Sequence, residues 1–113
     1  MINDVSFHCR LIVRAGGKEF LGPDEIELMK NIREQGALTA AAEQIGISYD
    51  EARRRAEQIS ELANQDIILT HQGGKGGGSA ELTRAGVKLL EAYDELQDRM
   101  QQFLDAELDE FLG

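Results

Sequence analysis

Hydrophobic residues alternate with polar ones at the start of the chain. Every odd-numbered position from 5 to 13 is apolar, and most of the even-numbered ones are polar. This period of two predicts a strand with one buried face. The Gly-Gly pair at 16–17 favours a turn, after which residues 19–21 are expected to return as a second short strand. Residues 1–22 therefore predict an N-terminal β-hairpin.

The hydrophobic period then lengthens to three or four residues, which is typical of amphipathic helices. Pro23 suits the first position of a helix, and Gly36 is its expected end. A second, short helix rich in alanine is expected to be capped by Thr39 and to end at Gly46. A third begins after Ser48, which has the S-x-x-E spacing of a capping box. Residues 23–64 therefore predict three helices, the last two forming a helix-turn-helix.

The rest of the chain predicts a second hairpin and one long helix. Residues 66–72 and 79–82 are strand-like and are joined by a glycine-rich loop, so residues 66–83 predict the hairpin. Thr83 is the expected cap of a helix over residues 84–112, about 43 Å long at 1.5 Å per residue. A domain this small cannot cover such a helix, so its far half is expected to pack on another copy. The apolar residues expected to form this dimer contact are Leu89, Tyr93, Leu96, Met100, Phe103 and Leu104.

This order of helices and strands is that of a winged helix-turn-helix. We therefore predict a single, mainly α domain over residues 1–113, with small β-hairpins and a long C-terminal dimerisation helix. In such a domain the third helix enters a DNA major groove and the second hairpin is the wing. Glycines at the wing tip would let its main chain approach a phosphate, with Lys75 supplying positive charge.

The glycine-rich loop does not match the nucleotide-binding motifs. In a P-loop, Gly-Lys is preceded by four residues and another glycine, and is followed by Ser or Thr. Here Leu69 and Gly76 occupy those outer positions, and Ser79 stands where a dinucleotide fingerprint needs its third glycine. The loop also leads into a strand rather than a helix, so nucleotide binding is not expected.

The net charge of −9 is unevenly distributed. Residues 91–113 contain eight acids and one base, so they carry −7, and the other 90 residues carry −2. The third predicted helix instead contains a basic cluster of Arg53, Arg54 and Arg55. The acidity therefore belongs mainly to the last helix and does not argue against nucleic-acid binding by the third.

No residues indicate catalysis or metal binding. Cys9 is the only cysteine, so no intrachain disulfide is possible, and with His8 and His71 it makes no zinc set. No catalytic triad or carboxylate pair can be singled out. The N-terminus lacks a signal-peptide pattern, and no apolar run approaches the roughly 20 residues of a membrane span. We therefore expect a cytoplasmic protein that is not an enzyme and has no cofactor, metal or membrane contact.

Two stretches resemble a known family of regulators. The sequence GALTAAAEQIGISYDEARRRAEQI resembles the helix-turn-helix of LysR-like regulators. The sequence GGKGGGSAELTRAGVKLLEAY is similar to the N-terminal DNA-binding domain of ModE, the molybdate-responsive transcriptional regulators. That family has a GGKGGGGAxLTxxG wing and an ISYxxAW start to the recognition helix. The resemblance covers roughly residues 20–95. The matching positions are Ser48, Tyr49, Gly73, Gly74, Lys75, Gly76, Gly77, Gly78, Leu82, Thr83 and Gly86.

The resemblance implies a homodimer that binds a palindromic operator through the third helix and the wing. The chain departs from the family near the start of the recognition helix, where Asp50 and Arg53 replace basic and aromatic residues. Full-length members continue into a molybdate-binding domain, whereas this sequence stops at Gly113. We therefore expect no molybdate sensor of that type within these residues.

The expected DNA contacts come from the third helix, the wing and the start of the last helix. The arginines also have a plainer interpretation, as i,i+4 ion pairs of Asp50 with Arg54, Glu51 with Arg55 and Arg53 with Glu57, each worth about 0.2–0.5 kcal/mol. Asp50 either accepts a hydrogen bond from cytosine N4 or weakens non-specific binding. The residues expected to contact DNA are Ser48, Tyr49, Arg53, Arg54, Gly74, Lys75, Gly76, Gly77 and Arg84.

The alternative function is protein interaction. Through its acidic last helix, such a chain would heterodimerise with another winged-helix regulator and antagonise it. Co-purification with a second winged-helix protein and no DNA affinity at low salt would favour this alternative.

Overall fold

The computed structural model describes residues 3–72 and 78–113. Over these residues the chain forms two separate antiparallel hairpins, β1–β2 and β3–β4, around a set of helices. The elements are β1 Val13–Ala15, β2 Lys18–Leu21, α1 Pro23–Gln35, α2 Leu38–Ile45, α3 Tyr49–Ala63, β3 Ile68–His71, β4 Ser79–Leu82, α4 Arg84–Ala106 and α5 Leu108–Leu112. The mainly α winged helix-turn-helix with a long C-terminal helix is thus confirmed.

The core lies between α1, α2 and α3 and is closed by the first turns of α4. The predicted apolar stripe of α1 is buried, and Ala41 and Ala42 of α2 pack closely against it. Ala52, Ala56 and Ile59 form the buried face of α3. Because these side chains point inward, the opposite face of α3 lies at the surface.

Most helix ends follow the sequence signals. Gly36 and Gly46 end α1 and α2 with φ angles of 69° and 75°, as predicted. The predicted cap at Thr39 is wrong, because α2 begins at Leu38 and Ala37 is its cap residue. Ala37 is held in an extended conformation by a bridge to Ser79 of the wing, which starts the helix before Thr39 is reached.

The first hairpin is shorter than the alternating pattern predicted. Residues 5–11, here called the N-terminal segment, show alternating burial but pair with no strand among the described residues. Their main chain bonds side chains of α4 instead: Gln97 Oε1 accepts from the Leu11 amide at 3.0 Å, and Gln97 Nε2 donates to the Cys9 carbonyl at 2.8 Å. Gln101 donates to the Phe7 carbonyl at 2.6 Å. One face of the segment is therefore only partly buried, and it is covered by a helix rather than by a neighbouring strand.

The wing is fastened to the helices at both of its strands. The Ile67 amide, just before β3, donates to Ser60 Oγ of α3 at 3.0 Å. On the other strand, the Ala80 amide donates to the Gly36 carbonyl at 2.9 Å. The orientation of β3 and β4 is therefore fixed relative to α3 and to the α1–α2 turn.

The last helix begins as predicted but ends earlier. Thr83 Oγ1 accepts from the Gly86 amide at 3.0 Å, which is the predicted cap. The sequence predicted one helix over residues 84–112, whereas α4 ends at Ala106, and α5 follows after Glu107. The ring of Phe111 then packs edge-on against Phe7, with 5.0 Å between ring centroids. Within the described part of the chain, no helix is long and apolar enough to cross a membrane.

Candidate nucleic-acid interface

The exposed face of α3 carries the basic cluster of the sequence. The side chain of Arg54 is 64% exposed and that of Arg53 is about half exposed, whereas Arg55 is 24% exposed and leans towards the core. Tyr49, in the first turn, is also exposed. The sequence predicted that Arg53 and Arg54 are more exposed than Arg55, because the alanine-rich face of the helix was expected to be buried.

All three arginines are paired with carboxylates of the same helix. Glu51 accepts from Arg54 at both carboxylate oxygens, with distances of 2.9 Å from Nε and 2.7 Å from Nη2. Glu51 Oε1 also accepts from Arg55 Nε at 3.2 Å, and Arg53 lies 3.4 Å from Glu57. The last two pairs were predicted. The predicted pair of Asp50 with Arg54 is wrong, because Arg54 bonds both carboxylate oxygens of Glu51 instead.

These pairs leave α3 without excess positive charge. Residues 49–63 contain three arginines and four carboxylates, so the helix carries −1. The hydrogen bonds from Arg54, and then those from Arg55, hold the pKa of Glu51 below its ordinary value. Glu51 is therefore ionised at neutral pH and neutralises part of the cluster.

Ser48 and Asp50 flank Tyr49 at the start of the helix. Ser48 Oγ accepts from the Glu51 amide at 3.0 Å, so this hydroxyl caps α3 as predicted. Asp50 is exposed beside it. The helix thus presents a carboxylate, an aromatic ring and two guanidinium groups within its first two turns.

The remaining predicted DNA contacts are at the wing and at α4. Arg84, the first residue of α4 and one of these contacts, is exposed, and so is its basic neighbour Lys88 one turn further on. The wing residues Gly74, Lys75, Gly76 and Gly77 lie outside the described residues. Gly78, at the near end of this loop, is described, and a Cβ there would overlap the carbonyl of His71. The wing strands therefore come so close at this point that only glycine fits.

The predicted dimer residues fall into two groups. Leu89 and Tyr93 pack against the core of their own chain, and the Tyr93 hydroxyl donates to the Leu11 carbonyl at 2.6 Å. Leu96 and Phe103 are instead 48% and 64% exposed. With Met100, Leu104 and the charged Arg99 they line a hollow of about 500 Å³ on α4, whose four apolar residues are here called the apolar face.

Two features of the interface were missed from the sequence. Glu51 was predicted to cap the helix and to pair with Arg55, but its i,i+3 pair with Arg54 was missed although the spacing allows it. The hydrogen bonds from α4 to the N-terminal segment were also missed. Their only sequence signal is that Tyr93, Gln97 and Gln101 are spaced four residues apart and so lie along one face of the helix. Within residues 3–72 and 78–113, no group of three or more His, Cys, Asp or Glu side chains is placed to hold a metal ion.

Comparisons with known proteins identify close sequence relatives. No protein-family model matches the chain. The DNA-binding transcriptional dual regulator ModE of Escherichia coli K12 is 35% identical over 95 residues, which are 84% of this chain and 36% of that protein. The molybdenum transport protein ModE of Herbaspirillum seropedicae is 42% identical over 77 residues, 68% of this chain and 29% of that protein. The chain thus spans about a third of the length of the curated relatives it matches, and the resemblance to ModE-type regulators is confirmed.

Solved structures support the same fold. The crystal structure of the CbnR_DBD–DNA complex aligns with a TM-score of 0.57 at 19% identity, covering 76% of this chain and 93% of the other. At this identity the likeness concerns the fold alone. That fold is the winged helix-turn-helix of LysR-type DNA-binding domains.

Proposed function

We propose that this chain is a sequence-specific, DNA-binding transcriptional regulator of the ModE-like type, which acts in the cytoplasm and has no enzymatic activity. The observation that carries the proposal is the exposed face of α3, where Tyr49, Arg53 and Arg54 project from a winged-helix framework. A helix of this kind fits the major groove of duplex DNA. The relatives named as transcriptional regulators support the assignment.

In this proposal, different residues contact the DNA bases and the DNA phosphates. Tyr49, Arg53 and Arg54 read base edges, because they lie on the face that the core leaves exposed. Arg84, Lys75 and the wing glycines at 74, 76 and 77 contact phosphates, which set the register of the domain without carrying sequence information. Ser48 acts indirectly by capping α3.

The regulator works as a homodimer joined through α4. Leu96 and Phe103 of the apolar face are exposed, and together with Met100 and Leu104 they would form the contact between two copies. Leu89 and Tyr93 support this contact from the core side. Two α3 helices would then lie about 34 Å apart, one turn of DNA, and read a palindrome.

We also propose that the genes regulated by this protein serve molybdenum metabolism. Its support is the naming of several relatives, which include molybdenum transport and molybdenum-pterin-binding proteins. The residues described here contribute DNA binding to such regulation.

The test is selection of genomic DNA by the purified protein. Fragmented DNA from the source organism is incubated with it at about 100 mM salt, and the retained fragments are sequenced. Enrichment of a palindrome beside molybdenum-related genes is the expected result. If no sequence is enriched, and no DNA is retained at lower salt either, the proposal is wrong.

A second candidate is an acidic interaction module that pairs with another winged-helix regulator and antagonises it. The observation in its favour is that all three arginines of α3 are already paired with carboxylates. It predicts co-purification with a second winged-helix protein and no DNA affinity at any salt concentration.

A further inference from the structure

We propose that Glu51 determines how strongly the chain discriminates between DNA sequences. It holds the guanidinium group of Arg54 on the protein, so that only a base edge offering two matched acceptors replaces it fully. This inference rests on the proposed DNA binding and goes beyond it, because Glu51 itself is not a DNA contact. It is a positioning residue that acts through Arg54.

The geometry of the pair resembles that of a base contact. Arg54 uses Nε and Nη2 on the two oxygens of Glu51, at 2.9 and 2.7 Å. Arginine reads guanine in the same two-donor manner, on O6 and N7 in the major groove. Guanine therefore replaces both hydrogen bonds that Arg54 gives up, whereas a base edge without two adjacent acceptors replaces fewer.

The pair lies where exchange with DNA is possible. The side chain of Arg54 is largely exposed, and only 30% of that of Glu51 is exposed, so the arginine is the outer partner. Exposed ion pairs of this kind add little to stability, so exchange costs little in the folded protein. Arg55, also bound to Glu51, keeps the carboxylate in place when Arg54 leaves.

Glu51 also lowers the general attraction of α3 for phosphates. Non-specific DNA binding depends on cations that replace counterions, and each neutralised phosphate steepens the salt dependence of binding. While Arg54 is paired with Glu51, it contributes little to this non-specific binding. Discrimination therefore rises because the unwanted complexes are weakened more than the wanted one.

Glu51→Gln is the test variant, and Glu61→Gln is its matched control. The capping bond of Ser48 goes to the main-chain amide of residue 51, so the helix cap survives the substitution. Glu61 is exposed on the same helix, about 15 Å further along at 1.5 Å per residue, and its replacement removes the same charge. Circular dichroism checks that both variants keep the helix content of the wild type.

The measurement is fluorescence anisotropy on a duplex enriched by genomic selection and on a scrambled duplex, each between about 50 and 200 mM salt. Glu51→Gln is expected to bind the scrambled duplex about two- to fivefold more tightly, which corresponds to the loss of one exposed ion pair. The slope of log K against log salt should steepen by about 0.9, equivalent to one more phosphate contact. The ratio of specific to scrambled affinity should fall, while Glu61→Gln should match the wild type.

Two outcomes would overturn the inference while leaving DNA binding intact. Equal salt slopes and equal affinity ratios for the two variants would mean that Glu51 contributes only its charge. Weaker binding of Glu51→Gln to both duplexes would mean that Glu51 only supports the helix. If the wild type binds neither duplex, the proposed function itself fails.

Discussion

Glu51 organises the exposed end of α3 at the scale of single residues. Its main-chain amide is bound by Ser48, and its carboxylate accepts hydrogen bonds from Arg54 and Arg55. The same residue thus starts the helix and controls the charge that the helix presents. The availability of Arg54 and Arg55 for DNA contact therefore depends on the protonation of this carboxylate.

The titration of Glu51 is the first prediction. Arg54 holds the pKa of Glu51 below its ordinary value, so the stability gained from the pair is present above the ordinary pKa and is lost as the pH falls through the depressed one. Arg54→Ala should raise the titration midpoint of the Glu51 carboxyl, measured by NMR. An unchanged midpoint would show that Arg54 does not hold Glu51 in solution.

The second prediction concerns Gly86, where the start of α4 crosses the end of the α3–β3 connection. A Cβ at this position would overlap the carbonyl oxygen of Ile67. Gly86→Ala should therefore lower the free energy of unfolding by about 1–3 kcal/mol despite the better helix propensity of alanine. Denaturant unfolding measures it, with the exposed Lys88→Ala as control. Equal stability of the two variants would contradict this packing.

Among the elements, α4 has a structural role that its amphipathic pattern does not reveal. Its glutamines satisfy main-chain groups of the N-terminal segment that a neighbouring strand would otherwise bond. These bonds tie the start of the chain to the helix proposed to form the dimer. The segment and α4 should therefore lose order together.

The third prediction removes one of these glutamines. Gln97→Ala leaves the Leu11 amide and the Cys9 carbonyl without their partners, which should cost about 1–3 kcal/mol of stability. Hydrogen exchange at the Leu11 amide should accelerate at the same time. Gln102→Ala, on the exposed side of α4, is the control and should change neither quantity. Unchanged exchange at Leu11 in Gln97→Ala would contradict the bonding described.

The sequence correctly predicted those helix ends that depend only on neighbouring residues. The caps at Ser48 and Thr83 and the helix end at Gly46 follow from the side chain and main chain of neighbouring residues, and all three are confirmed. The predicted cap at Thr39 was wrong because α2 starts next to Ala37, which bridges Ser79 of the wing. That contact joins residues about forty positions apart, so it has no local signal.

The contacts of the N-terminal segment could not be predicted in the same way. Leu11 and Gln97 are 86 residues apart, and a glutamine on a helix surface has no distinctive pattern. In the candidate site, the exposed face of α3 followed from helical periodicity. The choice of Glu51 over Asp50 as the partner of Arg54 depended on side-chain conformations that periodicity does not determine.

For the whole molecule, the distribution of apolar surface suggests how two copies assemble. The apolar face lies on the half of α4 that projects beyond the core, while Leu89 and Tyr93 are covered by their own chain. The exposed arginines of α3 are not among the residues of this face, so the proposed dimer contact and the proposed DNA contacts use different residues. Dimerisation and palindrome recognition should be lost together.

The fourth prediction tests that link. A double substitution, Leu96→Glu with Phe103→Glu, places charges in the proposed contact and should halve the mass measured by sedimentation equilibrium. Its binding to a full palindrome should fall to the level seen for a single half-site. Gln102→Glu, on the opposite side of α4, should remain dimeric. A double variant that stays dimeric would place the contact elsewhere.

The most direct test of sequence reading by α3 is the affinity ratio between the selected duplex and a scrambled duplex, for the wild type and for Arg53→Ala. If Arg53 reads a base edge, the wild type discriminates and the substitution reduces the ratio by about 5- to 150-fold, the effect of losing one good base contact. A wild type that binds both duplexes equally, or an Arg53→Ala variant that keeps the full ratio, would contradict reading by this face of α3.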